Sequence, residues 1–202
     1  SLHGSPALDR VTPMIINMFR RVCAVVTIAV GPIFAGPPAL ADDTYSSDEI
    51  LRVAADFFDG ATEGLASIVE KTFADKGRPN GFIAGEEFSG AFVVGLRYGQ
   101  GKLNRKNTDA RKIYWRGPSV GWDFGGNASK VFTLVYNIKS EDDIFQRFPG
   151  VDGSFYFIAG FGMNYQQRNQ IVLAPIRTGV GLRAGANVGY LHYRRDKGWL
   201  PF

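Results

Sequence analysis

From Gly81 onward the apolar residues of this chain recur at every second position, and glycine falls repeatedly on the opposite side. Phe92, Val94, Leu96 and Tyr98 alternate with Ala91, Val93, Gly95, Arg97 and Gly99. Val120, Trp122 and Phe124 alternate with Ser119, Gly121, Asp123 and Gly125. Phe132, Leu134 and Tyr136 form one face of the next run, and Phe155, Phe157, Ala159, Phe161 and Met163 form one face of another. Leu182, Ala184, Ala186, Val188 and Tyr190 then alternate with Gly181, Arg183, Gly185, Asn187 and Gly189. A period of two with one apolar face is the signature of a strand. Glycine inside a strand marks a bulge, a bend or a close backbone approach. Glycines repeated down one face therefore predict a sheet that curls strongly. The expected fold is mainly β, a small antiparallel sheet of strong curvature or a β-barrel, with N-terminal α-helices packed on it or plugging it.

Upstream of Gly81 the period is helical. Ser46 and Glu49 make a capping box, and Ile50, Val53, Ala54, Phe57 and Phe58 follow at helical spacing. Gly60 breaks the run. A second helix carries Leu65, Ile68, Val69, Thr72 and Phe73 on one face and ends at Gly77-Arg-Pro-Asn-Gly81. Within the β region, Ser140 to Phe148 reads as a short capped helix closed by Pro149-Gly150.

The first 41 residues are set apart. With Met14 or Met18 as a start, Arg20 and Arg21 precede an apolar stretch from Val22 to Ala35, followed by Gly36-Pro37-Pro38 and Ala39-Leu40-Ala41. A basic segment, a short apolar segment and an A-x-A site make a secretory signal peptide cleaved after Ala41. The stretch is short of the roughly 20 residues of a membrane span, which disfavours a single membrane anchor. The expected organisation is a leader over 1–41, a helical segment over 42–80 and a Gly-rich β region over 81–202, the last two forming one domain. The sole cysteine, Cys23, leaves with the leader. Residues 42–202 then hold no thiol and no disulfide, so packing alone must stabilise them in an oxidising compartment such as the periplasm.

Composition excludes several functions. Removing Arg10, Arg20, Arg21 and Asp9 takes a net charge of +4 to about +2, too mild a balance for a nucleic-acid partner. With only His192 and no cysteine after the leader, neither a typical zinc site nor a Cys nucleophile is available. His192 reads as a structural residue on the apolar side of its strand. Gly117-Pro-Ser-Val-Gly121 is out of register for a nucleophile elbow. Glu86 and Glu87 are adjacent and face opposite ways on a strand, so they cannot act as an acid/base pair. The expectation is no catalytic residue, no metal and no cofactor.

A basic stretch with aromatics remains. Lys102, Arg105, Lys106, Arg111 and Lys112 flank a polar turn, with Tyr114 and Trp115 beyond it; Arg194, Arg195 and Lys197 lie near Tyr193 and Trp199. Such residues suit an anionic lipid surface or a solvated hairpin tip. Arg97, Asp123 and Arg183 share the Gly-rich face of their strands. They form an anion-receptive cluster if that face is interior, and ordinary solvated residues if it is exterior, which is the favoured reading. Arg97, Arg183, Lys102, Arg105, Lys106, Arg111 and Lys112 are the candidate lipid or anion ligands.

The stretch Gly85 to Leu103, the segment Trp115-Arg-Gly-Pro118, the strand Ser119-Val-Gly-Trp-Asp-Phe-Gly-Gly126, the run Val131 to Tyr136 and the closing Tyr190 to Trp199 resemble the SYLF (Ysc84-like) domain. With a signal peptide in front, the whole, from about Ser46 to Phe202, resembles more closely the bacterial envelope integrity protein A family. The resemblance implies a periplasmic, non-enzymatic protein that supports cell-envelope integrity. It also implies a small barrel-like fold and binding of anionic envelope lipid; the expected membrane association is peripheral rather than integral. The rival reading is an integral outer-membrane β-barrel, suggested by the terminal Phe202. Pro201 and the alternating Arg194, Asp196 and Gly198 count against it. The oligomeric state is left open.

Overall fold

A computed structural model describes residues 43–123, 128–178 and 189–198, and for 89–95 and 119–123 it describes the backbone alone. The proposed leader, Arg183, the side chain of Asp123 and nearly all of the strand expected at 181–190 lie outside the described residues.

Two helices open the domain. Helix α1, Ser47–Phe57, starts on the expected box: the Glu49 amide donates to Ser46 Oγ (3.2 Å) and the Ser46 amide donates to Glu49 Oε2 (2.7 Å). It satisfies two amides that a helix start would otherwise leave bare. Asp59 (φ 63°) then turns the chain left-handed. Helix α2, Glu63–Lys76, is capped by the Thr62 hydroxyl, which accepts from the Leu65 amide.

Among the described residues nine strands follow: β1 (Gly81–Asn104), β2 (Arg111–Asp123), β3 (Ser129–Tyr136), β4 (Arg147–Pro149), β5 (Tyr156–Ile158), β6 (Phe161–Met163), β7 (Gln166–Arg168), β8 (Ile171–Thr178) and β9 (Tyr190–Arg194). All pairings are antiparallel and form one sheet in the order β4-β9-β2-β1-β3-β8-β6-β5, with β7 also on β8. The sheet curls until β4 meets β7 through a Gly150–Gln166 bridge and a 2.8 Å hydrogen bond from the Val151 amide to the Tyr165 carbonyl. The expected curled, barrel-like antiparallel sheet with helices is therefore the observed fold.

Two local expectations are corrected, and one strand is new. The short helix at 140–148 is a single 3-10 turn, Glu141–Ile144, and Phe148 already belongs to β4. The single strand at 155–163 is a hairpin of β5 and β6, turned by Ala159 (φ 45°) and Gly160 (φ 88°), the positive angles that a tight hairpin demands. Strand β8 was not anticipated from the sequence: it is an unbroken buried run, and its Pro175 argues against a central strand.

The core lies on both faces of the sheet. Ile50, Ala54, Leu65, Ile68 and Val69 of the helices pack on Phe82, Phe132, Leu134, Tyr136, Val172, Ala174 and Ile176. The helices thus lie on the sheet rather than plugging it. The opposite face, inside the curl, holds Ile83, Leu103, Ile113, Trp115, Val131, Val135, Phe148, Leu173, Leu191 and Tyr193. Strand β3, covered on both faces, is buried from Val131 to Tyr136.

Along β1 the expected alternation is present, but its sense is inverted. Glu87 and Leu103 point inward with the glycines, while Phe88 and Leu96 are exposed. A methyl on Gly99 would fall within the Trp115 indole. A methyl on Gly101 would stand 2.6 Å from the Ala84 carbonyl oxygen. The glycines let the two ends of β1 pass against each other and let the large indole lie inside, so the Gly-rich face is interior.

Candidate functional site

Glu87 is the hub of an interior polar cluster. Its side chain is 4% exposed and accepts from Trp115 Nε1 (2.8 Å), while Arg177 Nε and Arg97 Nε each stand 3.1 Å from Oε1. Arg177 also donates to Asn164 Oδ1 (3.3 Å). Burial alone would raise the Glu87 pKa. The two guanidiniums and the indole N–H outweigh it and hold the carboxyl below its ordinary range. Arg97 is therefore an interior residue paired with Glu87, which corrects the reading of its face as exterior. Glu86, its neighbour, is exposed as the alternation requires.

The outer face of β1, β2 and β9 carries a second arrangement. Register aligns Tyr98, Arg116, His192 and Arg147 in one row across β1, β2, β9 and β4, and Gln100, Tyr114 and Arg194 in the next. His192 alternates with the buried Leu191 and Tyr193. It therefore points away from the apolar side on which it was placed from sequence. Burial first, then Arg147, Arg194 and Arg116, push its pKa down and keep it neutral at pH 7.

A pocket of about 360 Å³ opens on this face. Phe88, Tyr98 and Tyr114 give it largely apolar walls, and Arg116, Arg194 and Lys197 supply cations. The chain after β9 folds back to make one wall through Asp196, Lys197 and Gly198. Arg194 is held by Asp196 at 3.2 Å. Arg116 is 5% exposed, and its single hydrogen bond among the described residues is a 3.4 Å donation from Nη1 to the Gly198 carbonyl; its Nε has no partner. Burial, then the neighbouring Arg194, lowers its pKa. Immediate neighbours, not depth, shield this guanidinium from water.

The cations expected from sequence are placed elsewhere. Arg111 pairs with Asp142 (2.7 Å) and Glu141 (3.4 Å), and Arg195 pairs with Asp142 (2.9 Å). Lys106 pairs with Glu49 at 3.2 Å, and Arg105 donates to the Lys139 carbonyl. Lys112 lies over the Tyr114 ring, at the border of the pocket, and Lys102 is exposed. Acids from distant segments thus meet much of the basic turn. Arg116 was missed as a candidate; its signal was a cation set between Trp115 and Gly117 inside a strand. Arg177 was missed too, although a lone Arg within an apolar run asks for a buried partner. Among the described residues no three His, Cys, Asp or Glu stand together as metal ligands, and no helix is long and apolar enough to cross a membrane.

Fold and site define a barrel-like β domain, with helices on one flank and an apolar, cation-rimmed pocket on another. The envelope integrity protein A family matches residues 43–202, and the chain belongs to that envelope-associated family. It is also similar to the crystal structure of a β-barrel-like, uncharacterized protein from Brucella abortus. The two are 49% identical with a TM-score of 0.73, over 80% of this chain and 100% of that one. Among curated proteins no sequence matches this chain.

Proposed function

We propose that this chain is an exported, non-catalytic protein of the periplasm that supports cell-envelope integrity by holding an envelope lipid in the pocket beside β9. The pocket carries the reading: apolar walls suit a hydrocarbon chain and its cations suit a head group. The basic, apolar and A-x-A segments of residues 18–41 support export. The SYLF-like spacing around Trp115 to Pro118 points to the same ligand class. Association with the membrane is peripheral. Strands of three residues, as in β4 to β7, are far shorter than the roughly 9–11 residues of a spanning strand, and helices cover part of the outer face.

The test is native mass spectrometry with lipid extraction on the full chain, expressed with its own leader and purified from the envelope fraction. A co-purifying lipid and an N-terminus at Asp42 are expected. A clean apo mass, with no shift on adding anionic lipid, would overturn lipid binding. Retention in membranes after a urea wash would overturn peripheral association.

A further inference from the structure

We infer that the pocket selects a single-chain amphiphile with an anionic head, a fatty carboxylate or a monoacyl phosphate, and that Arg116 takes the head group. This rests on the lipid reading above and goes beyond it in naming the ligand class and the residue that recognises it. The charge state of the wall carries the inference. Arg116 is 5% exposed, yet no carboxylate among the described residues pairs with it, and its Nε has no partner. Asp196, the acid in the pocket wall, is committed to Arg194. Asp196 acts on Arg116 only at a distance; a shielded guanidinium with no carboxylate in direct contact is costly, and an anion placed against it recovers that cost through charge-assisted hydrogen bonds. Guanidinium geometry suits two oxygens of one carboxylate or phosphate.

Position and size fix the rest. Register with Tyr98 and His192 fixes the Arg116 backbone on β2, and its Nη1 donates to the Gly198 carbonyl. The ligand must come to it. A cavity of about 360 Å³ is at the small end of the roughly 300–1,000 Å³ of ligand sites, which suits one chain and not the two of a diacyl lipid. From Arg116 the apolar walls run past Tyr98 to Phe88, whose ring is 46% exposed. The tail lies along them.

The experiment uses the full chain, processed in the cell and stripped of bound lipid. Dodecanoate, dodecyl phosphate and neutral dodecyl maltoside are titrated below their micellar concentrations, with Trp fluorescence as readout. Both anions should bind at least about tenfold more tightly than the maltoside. Tighter binding of the carboxylate assigns a fatty acid as source, and of the phosphate a lysophospholipid. R116M should remove the preference for the anions over the maltoside. G198L should weaken all three, because a Cβ there meets the Arg116 and Arg194 guanidiniums at 3.5 Å and a longer side chain fills the site. A guanidinium NMR signal gives a readout on the wild-type fold: the Arg116 Nε–H resonance, assigned with R116K, should shift with dodecanoate and not with maltoside. Equal affinities for anion and maltoside, or an unmoved Arg116 resonance, would overturn the inference and leave lipid binding intact. Failure of every probe to bind would sink the lipid reading itself.

Discussion

Glu87 brings one negative charge to two guanidiniums in the interior of the curl. Glu87→Gln keeps the shape and removes the charge, leaving Arg97 and Arg177 without that carboxylate. Breaking a buried ion cluster from one side costs about 3–5 kcal/mol, read as a lowered urea midpoint at pH 7. The pH dependence has a definite sign. The folded carboxyl titrates below its ordinary value of 4.5. Its contribution is therefore complete above about pH 4.5 and is lost as the pH falls through the lower folded value. Glu49 and Asp75 are also lowered, the first by the Ser46 amide and the second by Lys71. The difference in acid slope between wild type and E87Q is what reports Glu87. Identical slopes would show that the buried carboxyl is not ionised in the fold.

Strand β1 works as an element because its inward face is nearly empty. Gly99→Ala puts a methyl into the Trp115 ring, whereas Gly85→Ala meets the Gln100 carbonyl oxygen and the Gly101 Cα at 2.7 Å. A ring can shift; a paired backbone cannot. G99A should cost the roughly 1–3 kcal/mol of overpacking, and G85A more. Trp115→Phe should recover part of the G99A loss and little of the G85A loss, a contrast that a double-mutant cycle in denaturant measures. Equal rescue of both would mean that the strand ends do not touch. These contacts explain what could be read from sequence. The caps of α1 and α2 are local, so both helices were legible from Ser46, Glu49 and Gly77. The period of β1 was legible, but its inward side was not: glycines point inward only because Trp115, from another strand, fills the space. Strand β8 hid behind Pro175 and a run buried on both faces. The basic turn was visible as charge, yet Glu49, Glu141 and Asp142, which meet it, lie far away in sequence. Arg116 is buried by residues 196–198 folding back, which no local pattern reports.

The curled sheet has a strong side and a weak side. Strand β3 is paired on both edges, to β1 through seven positions and to β8 through six, and is covered on both faces. The seam opposite joins strands of three residues, among the described residues, through one bridge, the Val151 hydrogen bond and a 3.5 Å donation from Arg168 Nη1 to the Arg147 carbonyl. Local opening follows the contacts that must be broken. Amides from Val131 to Tyr136 should therefore exchange with solvent only through global unfolding, while the Val151 amide exchanges at least about a hundredfold faster, a gap of roughly 3 kcal/mol. The pocket lies on neither side: it sits on β1, β2 and β9 with the returning segment as its wall. Dodecanoate should slow exchange at Gly198, whose amide donates to the Asp196 carbonyl at 3.0 Å, and leave Val151 unchanged. Hydrogen exchange read by NMR checks both points in one experiment. Slowing at the seam on adding ligand would mean that binding closes the barrel, and that the pocket and the seam open together.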